Sequence, residues 1–170
     1  MKKILLVLSI FIIPFFTGLS QVTSVSQAQS MFIYNFSRLI QWPAGSTTGE
    51  FVIGIIGDNE LYNNLSSFVT NKKVGAQSIV VKKFEDPQSI SRCQILFVGD
   101  SKISRFSDVI SRIQGFNSLL ITEKRGMINS GSAIDFVLVE DKLKFVMNPE
   151  NAVKYNLTVS KSLEDMAYKN

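Results

Sequence analysis

Two short runs are apolar on both faces: Phe51-Val52-Ile53-Gly54-Ile55-Ile56 and Ile95-Leu96-Phe97-Val98. A half-exposed strand alternates apolar with polar residues. A run without a polar face needs cover on both sides, as central strands of a parallel sheet have. Each run exits through Gly-Asp, at Gly57-Asp58-Asn59 and Gly99-Asp100-Ser101, into a helix-like stretch, about 60–69 and about 104–114. The second stretch closes at Gly115. Ser78 to Val81 and Ser118 to Thr122 read as two further strands, and Asp86-Pro87 opens a short helix.

The ends of the chain complete the pattern. Val25, Ala28, Phe32, Phe36 and Leu39 recur at helical spacing, with Ile33 and Ile40 widening the stripe, so residues 24–42 are expected to be helical. Pro43 disfavours helix at Trp42 and sets the end there. Residues 44–49 are turn-like. Ala133 to Val139 and Leu143 to Met147, separated by Glu140-Asp141-Lys142, predict an antiparallel hairpin. Pro149 opens a short helix to about Tyr155, and a last helix covers about 159–168. The expected fold class is α/β: a three-layer sandwich with a mixed, mostly parallel sheet and a C-terminal antiparallel hairpin.

A length of 170 residues suits one domain. Lys2-Lys3, the apolar run Ile4 to Phe16 and the small residues Gly18 and Ser20 read as a Sec signal peptide over 1–20, cleaved after Ser20, followed by a single domain over 21–170. Eighteen Lys and Arg against fourteen Asp and Glu give +4; without Lys2 and Lys3 the balance is 16 − 14 = +2. No dense basic run remains, so nucleic acid is not an expected partner.

The residue inventory restricts chemistry. With no histidine there is no Ser-His-Asp triad, no Cys-His pair and no His-ligated zinc. The single cysteine, Cys93, reads as a small core residue before a buried strand. GxGxxG, the P-loop pattern and Ser-x-x-Lys are absent. No catalytic residue, cofactor or metal site is expected. Asp58 and Asp100 read first as helix caps; their alternative is an acid/base pair. With Thr122 they would mark a small-ligand pocket at the strand ends.

Tyr34, Arg38 and Trp42 stand at i, i+4 and i+8 on the first helix. They read either as a surface for a partner or flat ligand, or as a Trp42 that plugs the core rim under Arg38. Gly126 and Gly131 bracket Met127, Ile128 and Asn129 in a loop expected to be exposed and to lie nearby.

Four segments together resemble one family. Residues 31–43, with Phe32-Ile33-Tyr34-Asn35-Phe36 and, after five intervening residues, Trp42-Pro43, look like its first helix. Phe51 to Asp58 and Cys93-Gln94-Ile95-Leu96-Phe97-Val98 resemble two of its strands. Ile134-Asp135-Phe136, Leu143 to Asn148 and Leu157-Thr158-Val159-Ser160 resemble its C-terminal block. This is the YfiR-like family of exported bacterial proteins, matched over about 25–168. The resemblance implies a periplasmic, non-catalytic regulator with an α/β fold. Its partner would be the exported domain of a membrane-bound diguanylate cyclase or sensor histidine kinase. From the residues themselves, Tyr34, Arg38, Trp42, Met127 and Asn129 are the ones expected in a partner or ligand surface. A periplasmic small-molecule binder is the alternative, and a homodimer is open. Well-known members carry several cysteines in disulfides; with Cys93 alone, an internal disulfide switch does not carry over. Ser130-Gly131-Ser132 stands where a paired glycine is usual.

Overall fold

A computed structural model describes residues 24–169; the signal-peptide reading of 1–20 lies outside them. The strands are β1 (Ile40–Gln41), β2 (Phe51–Ile56), β3 (Lys73–Val74), β4 (Gln77–Phe84), β5 (Ile95–Val98), β6 (Leu119–Thr122), β7 (Ile134–Val139), β8 (Lys142–Met147) and β9 (Thr158–Val159). The helices are α1 (Val25–Leu39), α2 (Asn59–Phe68), α3 (Phe106–Ile113), α4 (Pro149–Lys154) and α5 (Lys161–Met166).

The main sheet runs β3-β4-β2-β5-β6-β7-β8. The five inner strands are parallel; β3 and β8 are antiparallel edges. From β2 the chain steps outward to β4, then returns to the other side of β2 and continues through β5, β6 and β7. The order of the parallel strands therefore reverses at the carboxyl ends of β2 and β5, the place where open α/β sheets hold ligands.

Alternation along the buried strands builds two cores. Phe51, Ile53, Ile55, Ile95, Phe97, Leu119 and Ile121 face one side, against Ile33 and Phe36 of α1, Leu61 and Leu65 of α2, and Leu163 of α5. Val52, Ile56, Leu96, Val98 and Leu120 face the other, against Phe106, Val109 and Ile113 of α3. That is the expected three-layer sandwich with a mixed sheet and a C-terminal hairpin. The hairpin turns on Glu140 and Asp141, both at positive φ (50° and 58°), as the right-handed twist of the strands favours.

Several boundaries differ from expectation. α1 opens on a capping box, in which Ser24 Oγ accepts from Gln27 N and Gln27 Oε1 accepts from Ser24 N. It stops at Leu39, three residues before Trp42. Ile40 turns extended (φ −103°, ψ 135°), and β1 pairs antiparallel with β9, with Ser160 N donating to Leu39 O at 3.1 Å. β4 outruns the expected 78–81 because its parallel register with β2 continues to Ile56↔Phe84. The expected helix at 104–114 begins as a 3-10 turn over Asp100–Arg105 and becomes α-helical at Phe106. α4 and α5 are shorter than expected.

Candidate functional site

The first-helix stripe is broken. Tyr34 is half-buried and Arg38 exposed, but Trp42 is only 9% exposed. Because α1 ends at Leu39, Trp42 turns inward. Its Nε1 donates to Ser37 O at 3.1 Å, and its ring meets Phe51 edge-on at 5.2 Å. This corrects the reading of Trp42 as partner surface.

A different set gathers around Tyr34. Phe68, the last residue of α2, meets the Tyr34 ring edge-on at 6.0 Å. The Lys72 ammonium lies 4.6 Å from the Phe68 ring centre and 5.8 Å from that of Tyr34. The Arg38 guanidinium lies 5.8 Å from the Tyr34 centre. Among the described residues, ion pairs form at Lys83–Glu85, Arg105–Asp108, Lys161–Glu164 and Lys161–Asp165, and Arg38 and Lys72 take part in none of these. Arg38 and Lys72 thus have aromatic faces beside them and no carboxylate within pairing distance. Beside Arg38 opens a cleft of about 240 Å³, lined by Leu39, Ile40 and Gln41 on one side and Thr158, Val159 and Ser160 on the other.

At the strand ends, Asp58 caps α2 as expected, its Oδ1 accepting from Leu61 N at 2.9 Å. Asp100 caps nothing with its side chain; its backbone N–H donates to Glu123 Oε1. Burial holds the Glu123 carboxyl above its ordinary range, and the Asp58 and Asp100 carboxylates push it the same way. The bonds from Asp100 N and the Gln29 side chain oppose that shift. Thr122 is buried and donates to Asp135 Oδ1 at 2.8 Å, so it lines no open pocket with Asp58 and Asp100.

The two strand exits also close on each other. Ser101 Oγ donates to Gly57 O at 2.7 Å. A Cβ on Gly99 would stand 2.6 Å from Gly57 O, so only glycine lets these loops meet. The cleft left at this edge, about 170 Å³, is lined by Asn59, Lys83, Glu85, Ser101 and Lys102 among others.

The loop after β6 makes a 3-10 turn over Met127–Ser130, between Gly126 (φ 95°) and Gly131 (φ 115°). Met127 is half-buried and Asn129 exposed. A residue the sequence reading left unassigned holds this turn. The fully buried Asp135 carboxylate accepts from Thr122 Oγ1, Ser132 Oγ and Ile128 N (2.9 Å). Asn151 Nδ2 donates to Ile128 O at 2.7 Å and to Ser132 O at 2.8 Å. The available cue was a lone carboxylate inside the apolar run Ala133 to Val139. Cys93 is 1% exposed, and burial pushes its thiol up to about 12. Among the described residues no three His, Cys, Asp or Glu side chains stand together as a metal site, and no helix is long and apolar enough to cross a membrane.

Two solved structures are similar in fold. One is the ABC domain in complex with L-Trp from Streptococcus pneumonia, with TM-score 0.55, 13% identity, and coverage of 84% of this chain and 59% of that one. The other is a conserved domain protein from Vibrio cholerae O1 biovar El Tor, with TM-score 0.57, 10% identity, and coverage of 85% and 59%. The chain thus spans about three-fifths of either structure, and such identities show shared fold alone. No curated protein matches the chain. The YfiR/HmsC-like family (DUF4154) matches residues 26–168, and the protein belongs to that family of periplasmic regulators.

Proposed function

We propose that the protein is exported by a cleaved signal peptide and regulates a membrane-bound diguanylate cyclase or sensor histidine kinase by docking on its exported domain. The family match over residues 26–168 carries this reading. Two surface features support it: the cation-and-aromatic face around Tyr34 and Arg38, and the turn that presents Asn129 on a rigid buried network. The regulator catalyses nothing in this reading. It shifts its partner between two states through the difference in its affinity for them, and equal affinity would shift nothing.

The test compares cyclic-di-GMP levels and sensor-kinase phosphorylation in cells with and without the gene, alongside capture of membrane proteins on the full chain. A changed output and recovery of one signalling protein with an exported domain are expected. Unchanged output in both assays would overturn the reading.

A small-ligand function is the second reading. It draws on the cleft lined by Lys83, Ser101 and Lys102 beside the strand-order reversal, and on the L-Trp that the first fold neighbour holds. At about 170 Å³ this cleft is below the roughly 300–1,000 Å³ of drug-sized sites. A small anion or amino acid is the size it would take. Thermal-shift titration with amino acids and phosphate esters tests this, since a true ligand raises the midpoint with concentration.

A further inference from the structure

We propose that the face formed by α1 and the end of α2 receives an acidic segment of a protein partner, with carboxylates against Arg38 and Lys72 and an apolar side chain against Tyr34 and Phe68. The proposal rests on the regulator reading and names the chemistry its partner must present.

The argument starts from charge. Arg38 lies on α1 and Lys72 in the connection between α2 and β3, yet both are drawn over the Tyr34 ring. A cation held beside a ring face still has donors left for an incoming acceptor, and the ring limits where the cation sits. A face ordered before binding loses less entropy when a partner arrives. With no carboxylate of this chain paired to either cation among the described residues, the complementary charge has to come from outside.

Shape adds a second point. Arg38 stands on the rim of the cleft of about 240 Å³ between residues 39–41 and 158–160. That volume is on the scale of one large side chain. The planar guanidinium of Arg38, one of the residues lining the cleft, suits bidentate pairing with a carboxylate. An anionic lipid surface suits the face less well, because such surfaces hold clusters of about four to eight cations.

The experiment uses the full exported protein and three probes. These are a short fluorescein-labelled peptide rich in Glu and Leu, the same peptide with Gln for Glu, and phosphatidylglycerol vesicles. The Glu peptide is expected to bind with affinity that falls as salt rises, and the Gln peptide to bind far more weakly. The variant R38E/K72E should bind the Glu peptide roughly tenfold or more weakly, and Arg38→Lys should keep part of the affinity. The exposed Arg38→Glu single variant, with an unchanged thermal midpoint, separates lost binding from lost folding. Equal binding of both peptides, or equal affinity in wild type and R38E/K72E, overturns the proposal. Vesicle binding without peptide binding overturns it in favour of lipid. The regulator reading fails separately, if loss of the gene leaves signalling output unchanged. If output depends on the gene and R38E/K72E restores it as wild type does, only the docking face is wrong.

Discussion

Cys93 is held where its thiolate is very costly. Its sulfur lies beneath β2 in the α3-side core, 1% exposed, and burial raises its pKa from 9.0 to about 12. The folded chain therefore binds this proton more tightly than the unfolded one. The stability the group contributes is fully present below pH 9.0 and is lost as pH rises towards 12. Near pH 10 the unfolded thiol is about tenfold ionised, which corresponds to about 1.4 kcal/mol. Urea unfolding should show wild type losing about that much more stability than Cys93→Ala between about pH 8 and about pH 10. Thiol reagents should label Cys93 only in denaturant. Rapid labelling of the native protein, or identical pH profiles, would refute the assignment. Trp42 makes the complementary point. Its place at i+8 from Tyr34 suggested a shared surface only if the helix continued, and Pro43 restricts Trp42 without requiring helix up to it. With the helix ended at Leu39 the indole turns under the rim, so a Trp42 substitution tests packing and not docking.

Elements were legible in the sequence to the degree that their burial is local. β2, β5 and β6 are covered on both faces and read as uninterrupted apolar runs. The two-residue strands β1, β3 and β9 have no period to read; β1 and β9 exist because distant segments meet, and β3 is the short arm of a tight hairpin with the start of β4. The far end of β4 was missed because Lys82 and Lys83 look like a strand's end. They lie instead on an edge that β3 leaves uncovered, where charge discourages further pairing. Of the candidate site, Tyr34 and Arg38 were visible. Phe68 and Lys72 were not, since only the packing of α2 against α1 brings them there.

Two element-scale predictions follow from close packing and from buried charge. A Cβ on Gly54 would stand 2.6 Å from Phe84 Cε2. Gly54→Ala should therefore cost about 1–3 kcal/mol in urea unfolding, with much of the loss recovered by Phe84→Leu. A cost that Phe84→Leu leaves untouched would place the strain elsewhere. Asp135→Ala would leave Ile128 N without its acceptor, and Thr122 and Ser132 with only their longer bonds to Lys124 O and Ile134 O. It should cost about 2–4 kcal/mol, and amide exchange at Ile128 and across 127–130 should accelerate more than in β2. Uniform acceleration would mean that Asp135 supports the whole sheet and not this turn in particular.

For the whole molecule, the question is whether two cores on one sheet behave as one cooperative unit. The faces share β2, β5 and β6 through alternate residues of the same strands, so neither core can open without exposing the back of the other. Tyr155, at the end of α4, packs against both clusters. The weaker seam is the start of α1, whose inward residues Ser26, Gln29 and Ser30 are polar and hydrogen-bonded instead of apolar. Lower apolar burial there invites local opening. The chain contains a single tryptophan, and Trp42 reports the α1 side, while far-UV circular dichroism reports all elements. If the strands couple the layers, fluorescence and dichroism should give one midpoint and one slope in urea. If the α1 layer detaches first, the Trp42 signal should change at lower urea than the dichroism. Coincident curves are expected, because the residues anchoring α1, Ile33 and Phe36, are wholly buried among sheet side chains and β1 ties the following segment to β9.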